Sequence, residues 1–188
     1  MTTDDNNTAT DDNNQNTLYI NIPDVNEFEI ATFINSIQIG GGIRNVFIDY
    51  EYKDQHTIDN IYVHVICLLK NMINIRIIKI SCLGPSIDIF TEFMDVMKNN
   101  INIVGFIWLG VSVTVAETEL LLNMIKENIS LKTLFLRIIN IDDSMIKKIC
   151  HELKYNQNVL GMVIDCNYNG ICERSLLYVI DMLKYNNK

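Results

Sequence analysis

The sequence predicts an α/β solenoid of about six strand–helix units. The first observation is a repeated phrase, written KNMINI, KNNINI, KENISL and KYNQNV, whose opening lysines Lys70, Lys98, Lys126 and Lys154 recur at a constant spacing of 28, with Lys184 following after 30. The second is that, within each unit, apolar residues recur first with the period of a strand and then with that of a helix. Fixed self-similarity of about 20–50 residues is typical of repeat proteins.

The first half of each unit predicts a strand. With each lysine as repeat position 1, positions 6, 9 and 11 are apolar in four copies. Positions 9 and 11 share one face, because side chains alternate along a strand. The twelve residues are Ile75, Ile78 and Ile80, then Ile103, Phe106 and Trp108, then Leu131, Leu134 and Leu136, and finally Val159, Met162 and Ile164.

The second half predicts a short amphipathic helix, because its apolar positions 24, 25 and 28 follow the spacing of three and four that a helix requires. Asp142, with Asp143 and Ser144 after it, stands where an N-cap would begin the third of these helices. The apolar positions hold Phe93, Met94 and Met97, Leu121, Leu122 and Ile125, Ile149, Cys150 and Leu153, and, after a two-residue insertion, Val179, Ile180 and Leu183.

Two earlier units are less regular. The stretch IRNVFI at 43–48 predicts a strand followed by a helix near 57–69, and LYINI at 18–22 predicts a strand followed by a helix near 25–37. Residues 1–16 are polar and acidic and are predicted to be a disordered tail. The remaining residues, 17–188, are expected to form one domain of ordinary size.

Composition excludes several classes of function. The formal net charge is −8 and no basic stripe is visible, which disfavours a nucleic-acid partner. The acidic N-terminus does not resemble a signal peptide, and the uncharged stretch 99–116 fits a buried strand and turn better than a membrane span. Five cysteines, an odd number, favour reduced thiols and a cytoplasmic location. The excess of 31 Ile and 24 Asn suits AT-rich coding DNA, as in large DNA viruses.

The repeat resembles the leucine-rich repeat family, and its length resembles the ribonuclease-inhibitor-like subclass. The family pattern L-x-x-L-x-L-x-x-N/C-x-L is matched by LKTLFLRIINI, through Leu131, Leu134, Leu136 and Ile141. The clear match covers about 70–183, and isoleucine replaces most of the family's leucines. The family's asparagine belongs at position 14, where this chain has Leu83, Val111, Ile139 and Asn167. The resemblance implies a parallel sheet on the concave side and helices on the convex side.

The same resemblance implies that positions 8, 10 and 12 point to the concave surface. Apolar side chains there, rimmed by charges, are typical of a protein interface. The alternative is that helices cover both faces of the sheet and bury these side chains. The candidate protein-binding residues are Phe47, Asp49, Ile77, Lys79, Ile107, Leu109, Phe135, Arg137, Val163 and Asp165.

No catalytic, cofactor-binding or metal-binding set stands out. Cys150 and His151 are adjacent in a predicted helix and so point about 100° apart, and CNYNGIC at 166–172 supplies only two thiols. The sequence therefore predicts a non-enzymatic module that binds a partner protein through the concave sheet. If the protein is viral, the expected partner is a host signalling or defence protein. Self-association is a second expectation, because no polar capping unit follows the last repeat. A small enzyme or nucleotide-binding protein on a doubly wound sheet is the alternative, although Gly40–Gly42 precede a strand where a phosphate loop precedes a helix.

Overall fold

A computed structural model describes residues 16–21, 42–50, 54–138, 140–164 and 173–185. From β2 onward, strands and helices alternate along the chain. The strands are β1 (Thr17–Asn21), β2 (Asn45–Asp49), β3 (Ile77–Ser81), β4 (Gly105–Val111), β5 (Thr133–Ile138) and β6 (Gly161–Ile164). The helices are α1 (Gln55–Asn71), α2 (Ile87–Asn99), α3 (Val115–Glu127), α4 (Asp143–Tyr155) and α5 (Glu173–Tyr185).

The six strands form one parallel sheet in the order β1-β2-β3-β4-β5-β6, so each strand pairs with its neighbours in sequence. The predicted α/β class and the parallel sheet are thereby confirmed. A doubly wound sheet requires a point at which the strand order reverses. The order of the six described strands contains no such reversal.

The sequence repeat is also a structural period. Strands β3 to β6 begin at the same constant spacing as the lysines, and so do the helices α2, α3 and α4. The starts of β1 and β2 keep this spacing as well, whereas the starts of β2 and β3 are separated by about one helical turn more. Helix α1 has 17 residues where α2 to α4 each have 13 residues, and its additional turn accounts for the difference. The fold is therefore repeat-like across the whole described sheet.

One layer of helices packs on one face of the sheet. Each helix from α1 to α5 contacts the next. In β2 to β5 the side chains at positions 9 and 11 are buried and join the helix side chains in a single hydrophobic core, while the intervening side chains are more exposed. This alternation follows from the period of two along a strand.

Side chains cap α1, α3 and α4 at their N-termini. Asp142 accepts a hydrogen bond from the Met145 backbone N–H at 2.7 Å, which confirms the predicted cap of α4. Thr114 and Glu117 form a reciprocal capping box at the start of α3, and Asp54 accepts from the Thr57 N–H at 3.0 Å. Each cap satisfies backbone donors that the first helical turn leaves unpaired.

The recurring asparagine at repeat position 3 connects neighbouring units. Asn100, Asn128 and Asn156 follow the last residue of α2, α3 and α4. In each, the side-chain oxygen accepts from the backbone N–H groups two and three residues later. The side-chain nitrogen donates to a carbonyl of the preceding unit, Leu69, Met97 and Ile125 respectively. The phrase KNNINI therefore marks the end of a helix and a polar link to the unit before it.

An aromatic cluster fills the core beneath β3 and β4. Tyr62, Phe90, Phe93, Phe106 and Trp108 are fully buried, and the rings of Phe106 and Trp108 stack at 5.7 Å between centroids. The Trp108 Nε1–H donates to the Tyr62 hydroxyl at 2.9 Å. Burial raises the pKa of Tyr62 well above its usual value, so the hydroxyl stays protonated.

The structure also accounts for the departure from the family pattern at position 14. Val111 is fully buried there and Leu83 packs against the core, while Ile139 and Asn167 lie outside the described residues. After β4 and β5 the linking role belongs to Asn140, one position later. Its side chain accepts from the Val113 N–H at 2.9 Å and donates to the Val113 carbonyl at 2.7 Å.

Two predictions for the first half of the chain concern residues that the structure does not describe. The helix expected near 25–37 and residues 1–15 of the predicted tail lie outside the described residues. The stretch 99–116 contains strand β4, as expected. Among the described residues, no helix combines the length and apolarity needed to cross a membrane.

Candidate protein-binding face

The sheet face opposite the helix layer, here called the open face, carries one continuous row of side chains. Register pairs each of its members with the next across all six strands, at one residue per strand. This central row consists of Tyr19, Phe47, Lys79, Ile107, Phe135 and Val163. Five of its six members are aromatic or aliphatic, so the structure brings the predicted candidates at position 10 together in a line.

The central row is accessible to solvent in the described structure. Tyr19 and Val163, at its two ends, are 63% and 50% exposed, and the four residues between them are partly buried by their neighbours. Tyr19 packs edge-to-face on Phe47 at 5.1 Å, and the Lys79 ammonium lies 6.0 Å from the centre of the Phe47 ring. The row is thus apolar and continuous, with one cation near its middle.

Sequence reasoning did not name Tyr19. The signal that identifies it is its distance from Phe47 along the chain, which equals the period of the later units. The lysine-led phrase that marks the later units does not precede strand β1. Its alternating LYIN pattern nevertheless pairs in register with β2.

Two rows flank the central row. On the side of the strand N-termini lies position 8, with Asn45, Ile77, Gly105 and Thr133. Gly105 is confined there, because a Cβ atom on it would lie 3.1 Å from Thr133 Oγ1 and 3.3 Å from Ile77 Cγ1. On the other side lies position 12, with Asp49, Ser81, Leu109 and Arg137. The remaining candidate, Asp165, lies outside the described residues.

The two buried thiols, Cys82 and Cys150, are poorly suited to nucleophilic chemistry. Burial raises the pKa of Cys82 to about 12 and that of Cys150 to about 11, and the thiolate is the reactive form. His151 is exposed and lies 3.4 Å from the Glu152 carboxylate, whereas Cys150 points into the core. The adjacent pair therefore does not form a nucleophile and base.

A small depression lies among the described residues at the edge where a doubly wound enzyme would bind its ligand. It lies at the carboxyl ends of β2 to β4, where Tyr50, Cys82 and Leu109 are among its lining residues, and has a volume of about 210 Å³. Ligand pockets typically have about 300–1,000 Å³. Within the described ranges, no group of three or more His, Cys, Asp or Glu side chains is placed to hold a metal ion. Gly40, Gly41, Cys166 and Cys172 lie outside those ranges.

A second exposed apolar surface lies on the last helix. Leu176, Leu177, Ile180 and Leu183 of α5 are each about half or more exposed. This surface lies in the helix layer and is separate from the open face. Self-association is expected from the sequence, and this apolar surface of α5 offers a second copy of the chain a place to bind; self-association stays a prediction.

Comparison with known proteins gives a distant structural similarity and no matching family. No family model matches the chain, and no curated protein matches it. Among solved structures, actin-binding site 2 of leiomodin-1 is similar to this chain, with a TM-score of 0.41 and 12% sequence identity, over 89% of this chain and 79% of that one. These comparisons assign the chain to no family.

Proposed function

We propose that this protein is a non-enzymatic protein-interaction module that binds a partner protein through the open face. In this proposal the chain is a leucine-rich-repeat-like solenoid, and the open face is its concave surface. The central row is the observation that carries the proposal: six side chains, five of them apolar, in register across every strand and uncovered by any described element. Contiguous exposed apolar surface bordered by polar residues marks interaction sites in soluble proteins.

The composition of the row supports a protein partner in particular. Aromatic residues are enriched at the centres of protein interfaces, where they bury large areas at a small cost in conformational entropy. Tyr19, Phe47 and Phe135 are such residues, and Ile107 and Val163 extend the same apolar strip.

The test places a charge in the middle of the row. We expect Ile107→Asp and Phe135→Asp each to weaken recovery of partner proteins from cell extract by at least about tenfold, because each removes apolar contact and buries a carboxylate at the interface. Both side chains lie on the open face, so the thermal midpoint should change by only a few degrees. Recovery is measured by quantitative mass spectrometry with the full chain as bait.

The matched control is Ile129→Asp. Ile129 is 68% exposed and lies between α3 and β5, away from the central row, so it tests the same chemical change elsewhere. It should recover the partner as the unmodified chain does. Unchanged recovery by Ile107→Asp and Phe135→Asp would remove the open face as the binding surface.

A further inference from the structure

Cations lie at one edge of the sheet, at the N-terminal ends of three strands. Arg44, Arg76 and Lys132, here called the edge cations, immediately precede β2, β3 and β5. Their backbones are aligned by hydrogen bonds: the Arg44 carbonyl accepts from the Arg76 N–H at 2.6 Å, and the Lys132 N–H donates to the Val104 carbonyl at 2.8 Å. Within the described ranges, none of the edge cations forms an ion pair, and Arg76 Nη1 donates to the Asn102 carbonyl at 3.2 Å.

Cations of the helix layer are arranged differently. Lys70 pairs with Glu92 at 2.7 Å and Lys154 pairs with Asp181 at 2.9 Å, each link joining one helix to the next. Among the described strand residues, Asp49 is the one acidic side chain. A chain with a net charge of −8 therefore carries three cations without a described ion-pair partner along the edge of the sheet at which the strands begin. At physiological salt the screening length is about 8 Å, so this local charge outweighs the distant acidic residues for a bound segment.

The spacing of the central row distinguishes between partner conformations. Adjacent strands lie about 4.8 Å apart, so the row presents one side chain every ~4.8 Å over about 24 Å. An α-helix repeats its apolar stripe every ~5.4 Å, which matches the row when the helix is tilted by roughly 25–30°. An extended segment lying across the strands repeats every ~6.7 Å and falls out of step after one or two contacts.

The distance from the row to the edge cations fits the same partner. The edge cations lie three residues before the row, about 10 Å along the strand. A helix with its side chains is about 10–12 Å across, so side chains on one flank of a helix centred on the row reach the edge cations. Carboxylates on that flank would form charge-assisted hydrogen bonds with the two arginines.

We propose that the open face binds an amphipathic α-helix of the partner, of about 18 residues, with its apolar stripe on the central row and acidic side chains toward Arg44, Arg76 and Lys132. This inference rests on the proposed function and adds the conformation and charge of the bound segment. Apolar contact supplies most of the affinity, and the carboxylates fix the orientation of the helix and speed its association.

Three synthetic peptides, each long enough to span the row as a helix, test the inference with the full chain. The first has leucines at helical spacing and glutamates on the flanks, the second has lysine in place of every glutamate, and the third has the composition of the first in strict alternation. Binding is measured by fluorescence anisotropy at two salt concentrations. We expect the acidic helical peptide to bind at least about tenfold more tightly than the other two, and its affinity to fall as salt rises.

Matched charge reversals locate the effect. The combined change Arg44→Glu, Arg76→Glu and Lys132→Glu should weaken binding of the acidic peptide by at least about tenfold. The combined change Lys70→Glu, Lys126→Glu and Lys148→Glu alters the net charge equally but lies in the helix layer, so binding should change by less than about twofold.

The remaining outcomes separate this inference from the proposed function. Three outcomes overturn the inference that the open face binds an acidic helix. They are equal affinity for the acidic and basic helical peptides, tighter binding of the alternating peptide, and no binding of any peptide. Displacement of the peptide by oligothymidylate also overturns the inference. So does a dimer of the chain that the combined change at Arg44, Arg76 and Lys132 abolishes. If Ile107→Asp abolishes binding of all peptides alike, the open face stands as a binding surface without this specificity. If Ile107→Asp and Phe135→Asp leave peptide binding unchanged, the open face itself is excluded.

Discussion

Replacing Asn128 with alanine is expected to lower the free energy of unfolding by about 3 kcal/mol. Asn128 is 1% exposed, and its side chain bonds five backbone groups that alanine cannot reach, four of them within 3.0 Å. It donates to the carbonyls of Met97 at 2.7 Å and Asn100 at 3.0 Å, and it accepts from the N–H groups of Ser130 at 2.9 Å and Leu131 at 2.7 Å. The Ser130 hydroxyl still donates to the Asn100 carbonyl at 2.8 Å, and the Asn100 N–H still donates to the Met97 carbonyl at 3.3 Å. Of the four nearer groups, the change therefore leaves two, the N–H groups of Ser130 and Leu131, without a hydrogen-bond partner. Each buried unsatisfied group costs about 1–3 kcal/mol.

The matched control is Asn123→Ala. Asn123 is an exposed residue of the same helix, so its loss should change stability by less than about 0.5 kcal/mol. Urea unfolding followed by circular dichroism measures both variants. A loss below about 1 kcal/mol for Asn128→Ala would contradict the linking role of position 3.

Replacing Trp108 with alanine should destabilise the protein by about 4 kcal/mol, within the usual range for a large aromatic side chain lost from a core. Trp108 is fully buried and its ring lies 5.5 Å from Phe90 and 6.4 Å from Phe93 between centroids. Alanine leaves a cavity between β4 and α2 that the surrounding side chains fill only in part.

The polar part of this site can be tested separately. Tyr62→Phe keeps the ring and removes the hydroxyl that accepts from Trp108 Nε1 at 2.9 Å, so we expect a loss of about 1–2 kcal/mol. The same urea titration compares the two variants. Equal stability of Tyr62→Phe and the unmodified chain would show that the indole N–H finds another partner. Trp108→Ala that is no more destabilising than Tyr62→Phe would contradict the close packing of the cluster.

The period of the sequence was sufficient to predict the sheet. Strands and helices differ in the spacing of their apolar residues, and both spacings recur at the same positions of every repeat unit. Ile107, Phe135 and Val163 therefore align from the sequence alone. The ends of the predicted strands at 18–22 and 43–48 lie within two residues of the ends of β1 and β2. The small differences arise because alternation shows that a strand exists more reliably than it shows where the strand ends. The candidates at positions 8, 10 and 12 lie in the described sheet, except Asp165.

What the sequence could not predict depends on contacts between units. Asn128 is buried because it bonds carbonyls that belong to the preceding unit, and asparagine is ordinarily a surface residue. The distance between Tyr19 and Phe47 along the chain aligns the two residues, but the pairing of β1 with β2 is what places Tyr19 in the row. The edge cations occupy position 7, and they come into line at one edge of the sheet because the strands pair in register.

The most direct test of the open face is tryptophan quenching at two adjacent positions of β4. The native chain carries its one tryptophan at position 108, on the buried face, and acrylamide should quench it weakly. The double variant Ile107→Trp and Trp108→Phe moves the indole by one residue to the open face, where side chains alternate in direction. Circular dichroism first verifies that this variant is folded. We predict strong quenching at position 107 and protection at position 108; equal protection at both positions would mean that the sheet is covered on both faces and would contradict an open binding surface.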